Sequence, residues 1–407
     1  MTFNEAKQKV EAVGQTHLLK YYDTLDQNAK EALLQQIDET DFSVVSHIND
    51  TIDSRGQIEP IKAMTLTEIE ANKTEYMNLG LDAIKQGKVA AVLLAGGMGT
   101  RLGSDNPKGM YDIGITKPVY IFQRIVENLI DNVKAADNNW IHLFVMTSDK
   151  NHEATTHFFK EHNNFGYDAE HIHFFKQDMA PATDYHGKIY LEDKGKIATS
   201  PNGNGGWLVS LYNAGYNELI HKEGVEWLNV FAVDNVLQRI ADPCFIGATI
   251  SSGSDVGAKV VRKNHPDEKV GVMCLKDKHP SIIEYYELTP ELRETKTDDG
   301  EYAYNFGVIL NYLFNVPNVE RIMNQSLPLH IVEKKIPYMD ENGVLQKPEE
   351  PNGYKFENLI LDLIQMMGKC LPYEVEREKE FAPIKNKTGV DSVESARNLL
   401  EKNGYIL

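Results

Sequence analysis

Val89-Ala90-Ala91-Val92-Leu93-Leu94, continuing into Ala95-Gly96-Gly97-Met98-Gly99-Thr100-Arg101-Leu102-Gly103, is the stretch on which the reading of this chain turns. Six apolar residues without a polar interruption are too few for a helix of ordinary length and suit a strand buried on both faces. The four glycines that follow let the backbone turn sharply and present bare N–H groups, with no side chain to keep an anion away. In open α/β sheets ligands bind outside the carboxyl ends of the strands, which is where this loop belongs.

Outward from this stretch the chain alternates. A helical pattern runs from Pro118 to about Val133. Strands follow near His142 to Thr147, Ile172 to Gln177 and Leu228 to Val233, with helices near His152 to Glu161 and Trp207 to His221. Strand and helix in turn predict an α/β fold with a mixed, mostly parallel sheet flanked by helices. Closely spaced β runs at Ala258 to Val261, Val270 to Cys274 and Ser281 to Tyr285 predict an antiparallel insertion, and Phe356 to Met367 a late helix. Before the stretch, Ala6 to Gly87 is polar with apolar residues at helical spacing, including Ile69 inside a Thr67-x-x-Glu70 capping-box pattern. Three consecutive regions are therefore expected: an N-terminal helical appendage over 1–88, an α/β domain over 89–330, and a C-terminal region over 331–407.

Two familiar phosphate loops do not fit. The triphosphatase pattern needs Gly-Lys-Ser or Gly-Lys-Thr, which the chain lacks, and Gly97, Gly99 and Gly103 are one residue too widely spaced for the dinucleotide fingerprint. A glycine-rich loop carrying its own cations, Arg101 and Lys108, suits a triphosphate better.

Leu94-x-Gly96-Gly97-x-Gly99-Thr100-Arg101-Leu102-Gly103 with Pro107-Lys108 resembles the nucleotide signature of the UDP-sugar pyrophosphorylases, most closely the eukaryotic-type UDP-N-acetylhexosamine enzymes. Further patches keep the family's order, among them Pro201-Asn202-Gly203-Asn204, Val233-Asp234-Asn235, Gly257-Ala258-Lys259, Pro351-Asn352-Gly353 and Pro383-Ile384-Lys385-Asn386. The resemblance implies a Rossmann-like, GT-A-like nucleotidyltransferase that joins UTP to a sugar 1-phosphate, with N-acetylglucosamine 1-phosphate as the expected acceptor. Arg101 and Lys108 would hold the triphosphate, with Lys385 and Lys355 reaching it from the C-terminal region. Leu94, Ala95, Gly96, Gly97, Gln177 and Gly203 would bind the nucleotide, and Asn204, Gly271, Glu284, Tyr285 and Asn305 the sugar. Asp234, at the end of an apolar strand run, would hold Mg²⁺ against the phosphates. Asn202 stands where the family has Asp, and Val308 where it has a second Asn, both beside predicted ligand residues.

Composition narrows the alternatives. The 407 residues carry 42 Lys and Arg against 60 Asp and Glu, a net charge of −18. That balance disfavours nucleic acid or an anionic membrane as partner but permits a phosphorylated small molecule in a cationic cleft. Three dispersed cysteines, Cys244, Cys274 and Cys370, point to a reducing cytoplasm, and a monomer is expected. His152 and His157 are spaced five apart, wrong for a zinc helix, and His171 and His173 fall in a strand pattern without acidic partners. The alternatives are a nucleotide-sugar glycosyltransferase, which ordinarily shows an Asp-x-Asp motif absent after the Leu228 to Val233 run, and a non-catalytic UDP-sugar-binding protein, which need not keep the cations.

Overall fold

The computed structural model describes residues 1–49, 56–323, 325 and 327–407, so 50–55 of the expected helical appendage lie outside the described residues. Its largest element is a ten-stranded sheet. The strands are β1 (Ile58–Pro60), β2 (Val89–Leu94), β3 (Leu143–Thr147), β4 (Ile172–Lys176), β5 (Trp227–Ala232), β6 (Val256–Arg262), β7 (Val272–Lys276), β8 (His279–Ile283), β9 (Phe306–Asn315) and β10 (Cys370–Glu374). β5, β2, β3 and β4 lie side by side and parallel. β2 has a parallel neighbour on each edge and every residue buried, which is why its sequence has no polar interruption. Each large aliphatic side chain there contributes about 1.5–3 kcal/mol by leaving water. The connecting helices include Ile121–Ala135 and His152–Glu161.

Beyond β5 the pairing turns antiparallel: β9 pairs with β5 on one edge and β6 on the other, and β7 pairs with β8 and β1. This is the predicted β insertion, with two refinements. β7 and β8 are joined by Asp277 and Lys278, both at positive φ, in the two-residue turn that matches strand twist. β10 also returns parallel beside β6.

Four local expectations are corrected. The capping box is Thr65 with Glu68, not Thr67 with Glu70. Met64 is held extended by hydrogen bonds with Pro372 O and Glu374 N (2.9 and 3.0 Å), so Thr65 is the first residue able to cap. The stretch Trp207 to His221 is two helices, Trp207–Asn213 and Asn217–Lys222, separated by Gly215 at φ +86°. Phe356 lies in the strand Gly353–Glu357, paired with His330–Lys334, and the helix begins only at Ile360. β8 ends at Ile283, so Glu284 and Tyr285 follow it rather than lie in it.

The chain divides into two compact units interleaved in sequence, whereas the pattern of the sequence divides it at 88 and 330. The larger unit comprises Arg55–Gln177, Trp207–Ser326 and Leu361–Leu407 and contains the ten-stranded sheet. The smaller comprises Met1–Ser54, Asp178–Gly206 and Leu327–Ile360. In it, the helices Phe3–Ala12 and Gln27–Glu39 bury Ala6, Val10, Leu33 and Ile37 against Ile189, Leu191 and Ile197. Gln15 and Gln36 fasten them: each side chain both donates to and accepts from the main chain of the 187–197 segment, at 2.8–3.1 Å.

Candidate active site

β2 delivers the glycine loop to the carboxyl edge of the parallel strands. Ala95 N donates to Met146 O at 2.8 Å, continuing the ladder one residue past the strand. The loop then closes on itself: Lys108 N donates to Gly97 O (3.1 Å) and Gly99 N to Asn106 O (2.9 Å), setting Met98 opposite Pro107. Asn151, fully buried, donates to Ala95 O at 2.9 Å and Gly97 O at 3.4 Å, so the loop is braced from below as well. Gly103 takes φ +74° at the end of the short helix Thr100–Leu102. Among the described residues, the amides of Gly96, Gly97 and Met98 donate to no main-chain carbonyl. Gly97 is exposed and Gly96 and Met98 are half-buried, so these consecutive amides stand open to a solute, the arrangement in which successive N–H groups can meet an anion.

Gln177 stands against this loop. A Cβ added to Gly96 would lie 2.6 Å from Gln177 Nε2, so glycine is what permits the side-chain amide to approach. Gln177 is buried, and its own N–H donates to Thr147 O at 2.8 Å. Its amide carries a donor and an acceptor, the pair a uracil edge requires.

The predicted charges converge. Asp234 follows β5 by two residues, and its carboxylate lies 3.5 Å from Lys108 Nζ, with the two side chains 25% and 16% exposed. Burial pushes the Lys108 ammonium below its ordinary value; Asp234 pulls it back up, while the positive charges of Lys385 and Arg101 push it further down. Those two cations therefore stand near enough to be felt by the third. Lys385 Nζ is 3.1 Å from Asp391, a partner the sequence does not suggest. Arg101 is exposed.

Register puts the predicted sugar residues of this unit on the same edge. Asn311 of β9 lies opposite Phe231 of β5, so the antiparallel β9 begins past the carboxyl end of β5, and Asn305 precedes it. Val272 pairs with Gly307, and Val308 N donates to Gly271 O at 2.9 Å. Glu284 Oε1 lies 3.5 Å from where a Cβ on Gly271 would stand, so Gly271 and Glu284 adjoin. Asn305 is buried, its side-chain oxygen accepting from Lys263 N at 3.2 Å, and Tyr285 is edge-on to Tyr286.

Gly203, Asn204 and Lys355 belong to the smaller unit. Gly203 has φ +89°, and a Cβ there would stand 2.2 Å from Asn358 O. Asn204 Oδ1 accepts from Ile360 N at 3.0 Å, and Lys355 sits opposite Val332 in a two-stranded ladder.

The histidines behave as structural groups with one correction. His171 does have an acidic partner, Asp168 at 2.8 Å, because it lies in the turn Ala169–His171 rather than in the strand. His173 shares a 2.9 Å hydrogen bond with His142, His152 bonds Thr147 at 2.7 Å, and His157 pairs with Glu161 at 3.1 Å. A cavity of about 1050 Å³ elsewhere in the larger unit is lined by Ile69, Asn128, Arg239, Asp242 and Tyr373 among others, and by none of the predicted site residues. That cavity holds none of the gathered cations or bare amides, which lie at the loop edge.

The profile described as UTP–glucose-1-phosphate uridylyltransferase matches residues 41–405. The chain belongs to that family. Within the UTP–glucose-1-phosphate uridylyltransferase family it is similar to the UDP-N-acetylglucosamine pyrophosphorylase of Saccharomyces cerevisiae, 37% identical over 97% of this chain and 88% of the yeast protein. It is also similar to the UDP-N-acetylhexosamine pyrophosphorylase-like protein 1 of Mus musculus, 35% identical over 95% of this chain and 81% of that one. Among solved structures, the uridine diphosphate N-acetylglucosamine pyrophosphorylase of Trypanosoma brucei superposes with a TM-score of 0.83 at 26% identity, covering 98% of this chain and 84% of that one. The family has the α/β fold anticipated from β2 and its loop.

Proposed function

We propose that the chain transfers the uridylyl group of UTP to N-acetylglucosamine 1-phosphate, releasing pyrophosphate. Family membership supports the uridylyl transfer, and the relatives' names support the N-acetylated sugar. The observation that carries the reading is one edge of one sheet holding bare amides at Gly96 to Met98, Gln177 against Gly96, and the Lys108–Asp234 pair with Arg101 and Lys385 in its field.

A phosphate oxygen of the sugar 1-phosphate attacks the α-phosphorus of UTP. The new P–O bond forms as the bond from that phosphorus to the α,β-bridging oxygen breaks, and pyrophosphate leaves with the electron pair. The attacking oxygen is already anionic and needs no base, so positioning and charge neutralisation do the work. Leu94, Ala95 and Gln177 would hold the uracil, with the amides of Gly96 and Gly97 turned to the nucleotide. Lys108 would meet the α-phosphate, while Arg101 with its forked donors and Lys385 would take the charge building on the leaving group. Gly271, Glu284, Tyr285 and Asn305 would bind the sugar. For Gly203, Asn204 and Lys355 the proposed roles are those implied by the family resemblance: uracil, sugar and phosphate respectively.

Mg²⁺ is the proposed cofactor. Asp234 suits an ion that takes its remaining oxygens from a triphosphate: its carboxylate is partly exposed at the end of β5, and no group of three or more His, Cys, Asp or Glu side chains among the described residues could hold an ion alone. When bound, the ion supplies positive charge against the phosphates. We place the enzyme in the cytoplasm, a reading supported by its three free cysteines, and propose that it acts as a monomer. No helix among the described residues is long and apolar enough to cross a membrane.

The test is pyrophosphate release from UTP, Mg²⁺ and a panel of sugar 1-phosphates, with the N-acetylglucosamine compound expected to be fastest. Folded protein that binds UTP yet releases no pyrophosphate with any sugar would remove the transferase reading.

A further inference from the structure

Asp234 and Lys385 are 151 residues apart in sequence, and both are assigned to the phosphates. What holds their main chains together is the residue between them in the network, Asn235, which is 2% exposed. Its Nδ2 donates to Glu380 O at 2.8 Å, and its Oδ1 accepts from Ala382 N at 2.9 Å. Main-chain bonds extend the seam on either side. Ile384 N donates to Asp234 O at 2.8 Å, and Val236 N to Ala382 O at 3.4 Å, with Asn235 and Pro383 bridged as in an antiparallel pair. The far end is anchored by charge: Lys259, fully buried, lies 2.6 Å from the Glu380 carboxylate and 3.0 Å from that of Asp242.

We infer that Asn235 is a positioning residue: its side-chain amide clips the 380–384 segment to the end of β5 and so sets Lys385 against Asp234 and Lys108. A short amide serves both ends of the clip without a change of charge, because its nitrogen donates to a carbonyl while its oxygen accepts from an N–H. Alanine would leave Glu380 O and Ala382 N unpaired in a buried place. The seam would loosen next to Lys385, whose side chain carries the charge. A shift of about 1 Å in a group that meets the reacting phosphates is enough to cost up to about 100-fold in turnover. The inference rests on the function proposed above, through the role given to Lys385.

The experiment is a double-mutant cycle of Asn235→Ala and Lys385→Ala, read by pyrophosphate release, with UTP affinity and amide hydrogen exchange measured alongside. Asn235→Ala is expected to lower kcat by about 10- to 100-fold, to change UTP affinity by less than about threefold, and to speed exchange at Ala382 and Ile384. Added to Lys385→Ala it should cost less than about threefold more, since the group it positions is gone. Asn235→Ser, whose hydroxyl is too short to span both contacts but stays polar, should fall between, and it serves if the alanine variant does not fold. Unchanged exchange at Ala382 and Ile384, or losses that multiply in the double variant, would overturn the inference while leaving the proposed function intact. Wild-type turnover in Lys385→Ala would overturn both the role of Lys385 and the inference built on it.

Discussion

Arg101 is an exposed guanidinium on the glycine loop whose Gly96, Gly97 and Met98 amides have no main-chain acceptor, so loop and side chain both present donors to an arriving anion. Arg101→Ala should lower turnover by about 100- to 1,000-fold, the scale for removing one donor from charge that builds in a transition state, while uridine affinity stays near wild type. Pyrophosphate release and UMP binding measure the two; a variant that keeps its turnover would take the leaving-group clamp away from this residue. Lys108 makes a second prediction. It must be protonated to meet phosphate, and burial holds its pKa below the ordinary lysine value in the free protein. The alkaline fall in kcat/KM, which reports free enzyme, should therefore begin at lower pH than for an unperturbed lysine. Bound triphosphate raises that pKa, so the fall in kcat should come at higher pH than the fall in kcat/KM. Coincident limbs would show that Lys108 is not the group titrating. These residues are legible in sequence because each lies within a few positions of an apolar run or a glycine. Asn235 also lies beside such a run, yet its role is not legible, because its partners are 145 and 147 residues away and nothing local announces them.

Strands are legible where both faces are buried, since a short unbroken apolar run leaves no polar face for a surface helix; β2 matches residue for residue. Helices are less legible where a single residue decides, as Gly215 does between Trp207–Asn213 and Asn217–Lys222. Contacts between elements leave no such trace. The helices Lys73–Lys85 and Pro243–Ser251 cross through reciprocal glycines: a Cβ on Gly80 would stand 1.8 Å from Pro243 O, and one on Gly247 would stand 1.9 Å from Tyr76 O. No side chain can be admitted without moving a backbone. Gly247→Ala should therefore cost about 1–3 kcal/mol, seen as a lower urea midpoint with an unchanged slope. An unshifted midpoint would mean that the two helices separate without penalty.

At the scale of the molecule, a charge of −18 surrounds a site that must attract polyanions. Its field reaches far at low salt, where the Debye length is about 30 Å at 0.01 M, and little at about 8 Å in 0.15 M. Raising ionic strength across that range should leave kcat/KM for UTP within about threefold or increase it, because screening removes repulsion faster than it weakens contacts at a few ångströms. A tenfold fall would instead mean that the field of Arg101, Lys108 and Lys385 dominates at long range.

By itself the sequence determined the kind of sheet, the place of the glycine loop and the cations that loop carries. Those depend on short-range rules: which runs can be buried, and which backbones need glycine. The resemblance already sent Lys385 and Gln177 to the nucleotide; the tertiary structure alone decided how they are held there, Lys385 by a segment bonded to Asp234 and Asn235 and Gln177 against Gly96, and that residues 1–49 fold with 178–206 and 327–360. Such pairings are chosen by hydrogen bonds and packing between segments far apart along the chain, for which a linear sequence carries no local mark.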